Sequence, residues 1–348
     1  MKNRRKKRRG VRSRDWSEEE KYDTAFTHDR AKHRKAKGAA VTVPSAAIAP
    51  EDVEPNGVVV SHSGRWAFVS RDGEEVLCLI DEGLTEGRAT LLAPGDEVQV
   101  DYGEEQPIVR GLAPRRTKLS RLAHEHARVE EQVIAANVDV LAIVASVLKP
   151  RFKPGLVDRY LVCAQVGGVE PVLVLNKMDL AGEEPEAVGA FRDLGLKVVL
   201  TSVVTGLGIE ELRETLAGKF SVFSGQSGVG KSSLLNALDP SLELETQEVS
   251  GLTEKGKHTT SAGRLYLVAG DIRVIDTPGI RQLGVWGISH EEIGFYFPEI
   301  EAAAEGCRFR NCTHIHEPDC AVRAAVEAGE ISQLRYESYR HIKESLEK

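Results

Sequence analysis

The stretch "PVLVLNKMDL", Pro171–Leu180, sets an unbroken apolar run against a polar Asn-Lys-x-Asp tetrad. A continuous Val/Leu run of this length fits a strand buried on both faces, which puts the tetrad at the strand's carboxyl end. Asp179 at that position can accept two hydrogen bonds, from guanine N1–H and from the 2-amino group. Asn176 can reach the N7/O6 edge, and the Lys177 stem can cover the base. Alone, the tetrad reads equally well as the polar start of a helix, so the rest of the chain must decide.

A second stretch, "GQSGVGKSS" (Gly225–Ser233), fits Gly-x4-Gly-Lys-Ser and lies between an apolar strand, "KFSVFS", and a helix, "SSLLNALD". Backbone N–H groups of Gly225, Gln226, Ser227, Gly228, Val229 and Gly230 can point inward at a β-phosphate, with Ser233 following in the first helical turn. Lys231 brings a charge to the β/γ oxygens and Ser232 a hydroxyl to Mg²⁺. In "VIDTPG", Asp276 ends a strand, where it can hold Mg²⁺ through a water, and the Gly279 N–H can reach the γ-phosphate. "GKHTTS" (Gly256–Ser261) lies between the two. Thr259 and Thr260 are both candidates for Mg²⁺ there, with Thr260 preferred. "TSVVTG" supplies Ser202 and Val203, whose backbone would support Asp179 and the guanine O6.

Five motifs thus run in the order guanine loop, serine loop, phosphate loop, switch threonine, Asp-Thr-Pro-Gly. A nucleotide-binding GTPase domain usually begins with the phosphate loop. A cyclic shift of the sequence gives the present order without changing the contacts, since domain termini commonly lie close together. Strand and helix patterns alternate through this region, predicting an α/β domain with a mainly parallel sheet. Hydrolysis also needs a polar group to orient water. The position after Asp-Thr-Pro-Gly is Ile280, which cannot do so; His258, beside the switch threonines, can. The expected catalytic set is therefore His258, Lys231 and Thr260.

Towards the carboxyl terminus, Cys307, Cys312 and Cys320 lie within fourteen residues, with His314 and His316 among them. Three thiolates and one imidazole make a closed tetrahedral set for structural Zn²⁺. The spacing leaves either histidine eligible.

Before the α/β region, short apolar segments from Gly57 onward ("GVVVSHSGRWAFVSR", "EEVLCLIDE", "DEVQVDY", "PIVRGLAPR") alternate with Gly, Asp and Pro. They predict a small antiparallel β-barrel, for which an OB-type barrel fits the length. Residues 1–40 hold fifteen Lys/Arg against six Asp/Glu, a net +9, which leaves −16 on the remaining 308. So basic and apolar-poor a segment is expected to be disordered and to act as an arm for a polyanion, RNA first. Arg115, Arg116, Lys118, Arg308 and Arg310 are further candidates for RNA contact. No apolar run is long enough for a membrane span and residues near the N-terminus lack the apolar segment of a signal peptide, so the expectation is a cytoplasmic monomer. Expected divisions are 1–50 for tail and linker, 51–118 for the barrel, 123–288 for the permuted GTPase domain and 289–348 for a helical zinc-binding domain.

The permuted order, a barrel before it and "CRFRNCTHIHEPDC" after it resemble the RsgA family (YjeQ/YloQ) of small-ribosomal-subunit biogenesis GTPases, over roughly residues 55–345. The resemblance implies an OB-fold, a GTPase domain and a zinc-binding domain whose Cys-x-His pattern selects His314. It also implies His258 as the hydrolytic residue, GTP and GDP as ligands, and the small ribosomal subunit and its rRNA as partners late in maturation. On that reading the chain is a GTP hydrolase whose turnover the subunit stimulates and which acts as an assembly checkpoint. The competing reading is an RNA-binding assembly chaperone that keeps GTP as a structural ligand. Asp179 argues against an ATP-dependent enzyme.

Overall fold

The structure, a computed structural model, describes residues 47–85, 92–103, 106–125, 128–244, 263–268, 271–276 and 285–346. Five strands close a barrel: β1 (Gly57–Ser63), β2 (Trp66–Arg71), β3 (Glu74–Ile80), β4 (Glu97–Asp101) and β5 (Ile108–Leu112), in the order β1-β2-β3-β5-β4. Every pairing is antiparallel except β3 with β5. This is the OB-type barrel read from the sequence. Its interior is filled by Val59, Ala67, Val69, Cys78, Ile80, Leu92, Val98, Val100 and Val109. The alternation of β1 is only partial because the register slips between Val59 and Ser61, where a bulge lets the strand bend around the barrel.

A hairpin follows, β6 (Lys118–Glu125) and β7 (Arg128–Ala136), which no sequence pattern announced. A bulge between Leu119 and Ser120 shifts the inward-facing positions by one, so the two-residue period breaks. β6 also runs across the division expected between residues 118 and 123.

The α/β layer is built on a six-stranded sheet of β8 (Val140–Ser146), β9 (Glu170–Asn176), β10 (Lys197–Leu200), β11 (Phe220–Ser224), β12 (Arg264–Val268) and β13 (Ile272–Asp276). Its order is β10-β9-β8-β11-β13-β12, and all neighbours are parallel except β12 with β13. The crossovers are α1 (Pro154–Gly167), α2 (Ala187–Asp193) and α3 (Ile209–Leu216), and α4 (Lys231–Leu238) leaves β11. Adjacent residues of one strand serve opposite cores. Leu141, Ile143, Leu173 and Leu175 face α1, whereas Val140, Ala142, Val144, Val172 and Val174 face Leu212, Leu216, Leu234 and Leu235 of α3 and α4. Coverage on both faces is why these strands read as unbroken apolar runs.

Barrel and sheet are fastened at the amino ends of the parallel strands. Ala136 N donates to Pro94 O at 3.0 Å and Asn137 Nδ2 to Gly95 O at 3.0 Å. A Cβ on Gly95 would stand 2.2 Å from Ala136 O, so only glycine allows the approach. Arg115 pairs through Nε and Nη2 with the fully buried Asp96 at 2.7 and 2.8 Å, which gives that arginine a structural role.

The carboxyl-terminal helices are α5 (Pro298–Ala304), α6 (Ala321–Glu327) and α7 (Gln333–Leu346). α7 packs along α1, and Tyr336, Tyr339 and Ile342 share one core with Val157 and Tyr160.

Candidate nucleotide site and metal centre

In the sheet order, the strand ends of β9, β8 and β11 are neighbours, so the guanine and phosphate loops meet although the sequence places them in permuted order. The phosphate loop turns from β11 into α4. Gly230 has φ 99°, and a Cβ there would lie 2.4 Å from Asn176 Nδ2. Only glycine satisfies both demands. Lys231 Nζ arches back over the loop to Gly225 O at 2.9 Å and Gln226 O at 3.0 Å. Ser232 and Ser233 are half-buried in the first turn of α4.

The Asn-Lys-x-Asp tetrad follows β9, as its apolar run requires. Asn176 is buried, donating through Nδ2 to Val229 O at 3.0 Å and accepting from Thr201 Oγ1 at 3.2 Å. The sequence suggested a base-edge role for Asn176; in the structure its amide ties the guanine loop to the phosphate loop. Lys177, at φ 64°, sends Nζ to Gly228 O at 2.6 Å and to Lys149 O. Burial, with repulsion from Lys149, lowers the Lys177 ammonium's pKa against the opposing pull of Asp179. Asp179 is exposed and accepts from Ser202 Oγ at 2.6 Å, which aims its carboxylate. Met178 N donates to Thr201 O at 3.1 Å, and half-buried Val203 continues the serine loop. Thr201, Val229 O and Lys149 O are members of this cluster that the motifs did not flag. The flanking "TS" before Val203 was the one available signal.

Asp276 is the last residue of β13, in register with Phe223 of β11 and so beside the start of the phosphate loop. His258, Thr259, Thr260, Gly279 and Ile280 lie outside the described residues.

The metal-ligand set is compact. One donor atom from each of Cys307, Cys312, His314 and Cys320 lies within 4.8 Å of the others. Cys307 Sγ and Cys320 Sγ are 3.9 Å apart, and His314 Nδ1 stands 3.5 and 3.6 Å from them. Zn–S bonds of about 2.3 Å at the tetrahedral angle separate sulfurs by roughly 3.8 Å, so the donor set fits zinc. Burial and the adjacent Cys320 and Cys307 push the Cys312 thiol up. His314 is buried and faces the thiols. His316 is exposed and points to Glu317, which removes it from the set. The cluster is braced from α7: Tyr336 OH donates to His314 O at 2.6 Å and Tyr339 OH to Thr313 O at 3.1 Å. Glu317 accepts from Thr313 N and Oγ1 at 2.9 and 2.6 Å. Those bonds outweigh burial and hold its carboxyl well below the usual range. Arg308 is paired with Asp319 at 2.8 Å on this loop's exposed side.

Comparison with known proteins gives the same picture. The model of the RsgA GTPase family matches residues 112–286. The small ribosomal subunit biogenesis GTPase RsgA 1 of Vibrio vulnificus is 39% identical over 303 residues, covering 83% of each chain. RsgA of Chlorobaculum tepidum is 40% identical over 305 residues, covering 84% of this chain and 98% of that protein. The crystal structure of YjeQ from Thermotoga maritima superposes with a TM-score of 0.64 at 33% identity, over 84% of this chain and 98% of that one. YloQ, described as a circularly permuted GTPase, gives 0.59 at 28% identity, over 84% and 95%. By sequence, strand order and site, this chain belongs to the RsgA GTPase family.

Proposed function

We propose that the chain binds GTP, hydrolyses it to GDP and phosphate, and acts in maturation of the small ribosomal subunit. The observation that carries the nucleotide reading is the pair of ties from Asn176 and Lys177 to Val229 O and Gly228 O, which join base loop and phosphate loop. A preorganised pair of loops binds a nucleotide without first paying to order itself. Asp179 and the Ser202–Val203 turn would read the base. The backbone from Gly225 to Gly230 would take the phosphates, Gly279 the γ-phosphate, and Ser232, Thr260 and Asp276 Mg²⁺. Kinship with proteins named for small-subunit biogenesis supports the partner. Stimulation by that subunit, a checkpoint role, rRNA contact, a cytoplasmic location and a monomeric state belong to the same proposal, as do the four expected domain limits. No helix among the described residues is long and apolar enough to cross a membrane.

The test is GTP turnover with purified small or large subunits. The proposal expects stimulation by small subunits alone; unchanged turnover with both would favour the chaperone reading. Within it, His258→Ala should keep GTP affinity and lose about 10²-fold or more of subunit-stimulated hydrolysis, because positioning a polar group at the attacking water is worth that much. Single-turnover rates at saturating subunit decide; equal rates in the two proteins would remove His258 from the reaction.

For the metal centre, Cys307, Cys312, His314 and Cys320 would hold one structural Zn²⁺. Cys320→Ser should abolish stoichiometric zinc and loosen α6 and α7, since metal binding and local folding are coupled. The guanine and phosphate loops are fastened by their own bonds, from Asn176 to Val229 O and from Lys177 to Gly228 O, so nucleotide binding should persist. Metal analysis by mass spectrometry reads the first result and hydrogen exchange the second. Full zinc in the variant would place the ligands elsewhere.

A further inference from the structure

The loop between β8 and α1 carries Lys149, Arg151 and Lys153, three cations in five residues. All three are exposed, and none has an ion pair or side-chain hydrogen bond among the described residues. The loop itself is firmly built. Ser146 Oγ donates to Pro150 O at 2.7 Å, Val147 N to Asn176 O at 3.1 Å, and the Phe152 ring stands edge-on to Phe191 at 6.4 Å. Lys149 adopts φ 53°, a left-handed conformation, and its carbonyl accepts from the Lys177 ammonium that also bonds Gly228 O. Arg151 and Lys153 border a small cavity whose other walls include Gln226 and Val229 of the phosphate loop. The cations therefore stand at the edge of the phosphate loop on a rigid support.

A solvated, idle rim is the plain alternative. The charge balance argues against it. Beyond residue 40 the chain carries a net −16, a field that repels an approaching nucleotide. Three cations beside the phosphate loop, without a counter-charge among the described residues, offset that field where a polyphosphate must enter. We infer that Lys149, Arg151 and Lys153 form a receiving rim for the polyphosphate of a nucleoside triphosphate and speed its capture. The inference rests on the nucleotide reading above. Rim charges of this kind act on the association rate and lose their effect as salt screens them. The Debye length shrinks from about 30 Å at 0.01 M salt to about 8 Å at 0.15 M.

The experiment is stopped-flow binding of a fluorescent GTP analogue to the full chain and to the triple variant Lys149→Gln, Arg151→Gln, Lys153→Gln, from 10 to 500 mM KCl. At low salt the variant should associate about 10-fold more slowly. The difference should vanish at high salt, with dissociation within 2-fold throughout, and should shrink from GTP to GDP to GMP analogues. A charge-preserving variant, Lys149→Arg, Arg151→Lys, Lys153→Arg, should match the unaltered chain. If the unaltered chain bound no GTP, the functional reading itself would fail, and the rim with it. If GTP bound but the triple variant associated equally fast at low salt, the rim would be disproved while the site stood. A slowdown that persists at high salt would mean a damaged loop and would equally overturn the steering role. So would unchanged nucleotide capture with a lost salt dependence of small-subunit binding, which would assign the rim to RNA.

Discussion

Asp179→Asn should move the base preference of the site from guanine towards xanthine. On the proposed reading of the site, the carboxylate would accept from guanine N1–H and from the 2-amino group. Asparagine keeps one acceptor for N1–H and turns a donor towards C2, where xanthine carries a carbonyl. Sites that pair a specific polar group discriminate by roughly 10⁴ against a ligand lacking it, because the mismatched group is left desolvated and unpaired. The structure makes this a clean substitution. Asp179 is exposed, so folding does not depend on it, and Ser202 Oγ at 2.6 Å can donate equally to an amide oxygen. The Asn176 and Lys177 ties to the phosphate loop do not pass through Asp179. Competition between GTP and XTP is the measurement. A variant that loses affinity for both equally, or keeps its guanine preference, would show that Asp179 does not read the base.

The parts of the fold legible in the sequence share one physical property: their signal is local. The runs at Val140–Val144 and Val172–Leu175 are apolar at every step because both faces of the sheet are covered, and a reader needs nothing distant to see that. The phosphate loop, the tetrad and the Cys/His spacing are likewise short motifs. What stayed hidden depends on register or on distant partners. The β6–β7 hairpin was obscured by a bulge, and charged residues such as Arg121 and Glu131 dilute its apolar pattern. The tie from the Asn176 amide to Val229 O, 53 residues away, cannot be read from the tetrad at all. Spacing alone leaves His314 and His316 both eligible; the family resemblance selects His314, and its burial agrees, with Tyr336 from α7 fixing the His314 carbonyl. The union of α7 with α1 had no sequence signature, since its central ion pair joins residues 177 apart.

That ion pair sets the second large effect. Arg335 is 4% exposed and lies against Asp158, whose surface is fully buried, and against Glu299 at 2.7 Å, with its guanidinium over the Phe297 ring at 4.4 Å. Arg335→Met would preserve most of the packing and leave Asp158 in the core without a counter-charge. Removing one partner of a buried pair costs about 3–5 kcal/mol. Burial already pushes the Asp158 carboxyl above its ordinary value despite the adjacent guanidinium, and losing that charge pushes it further. A carboxyl with a raised folded pKa takes up a proton more readily in the native state. The penalty is therefore absent below the unfolded value near 4 and grows as pH rises through the window up to the folded one. The variant's stability deficit should accordingly be larger at pH 8 than at pH 5, read by urea unfolding of both proteins at each pH. Adding Asp158→Leu removes the stranded charge and should recover a large part of the loss, whereas Glu299, partly exposed, can turn to water. The consequence reaches past stability. Asp158 sits on α1, which follows the loop tied to Lys177; Arg335 precedes Tyr336, whose hydroxyl holds the His314 carbonyl at the metal centre. The packed, charge-paired helices α1 and α7 thus link the loop beside Lys177 to the segment that carries His314. Hydrogen exchange should show α7 opening with the same free-energy loss as the global transition of Arg335→Met. A deficit below about 1 kcal/mol, independent of pH, would mean that water reaches Asp158 and that the two modules are only loosely joined.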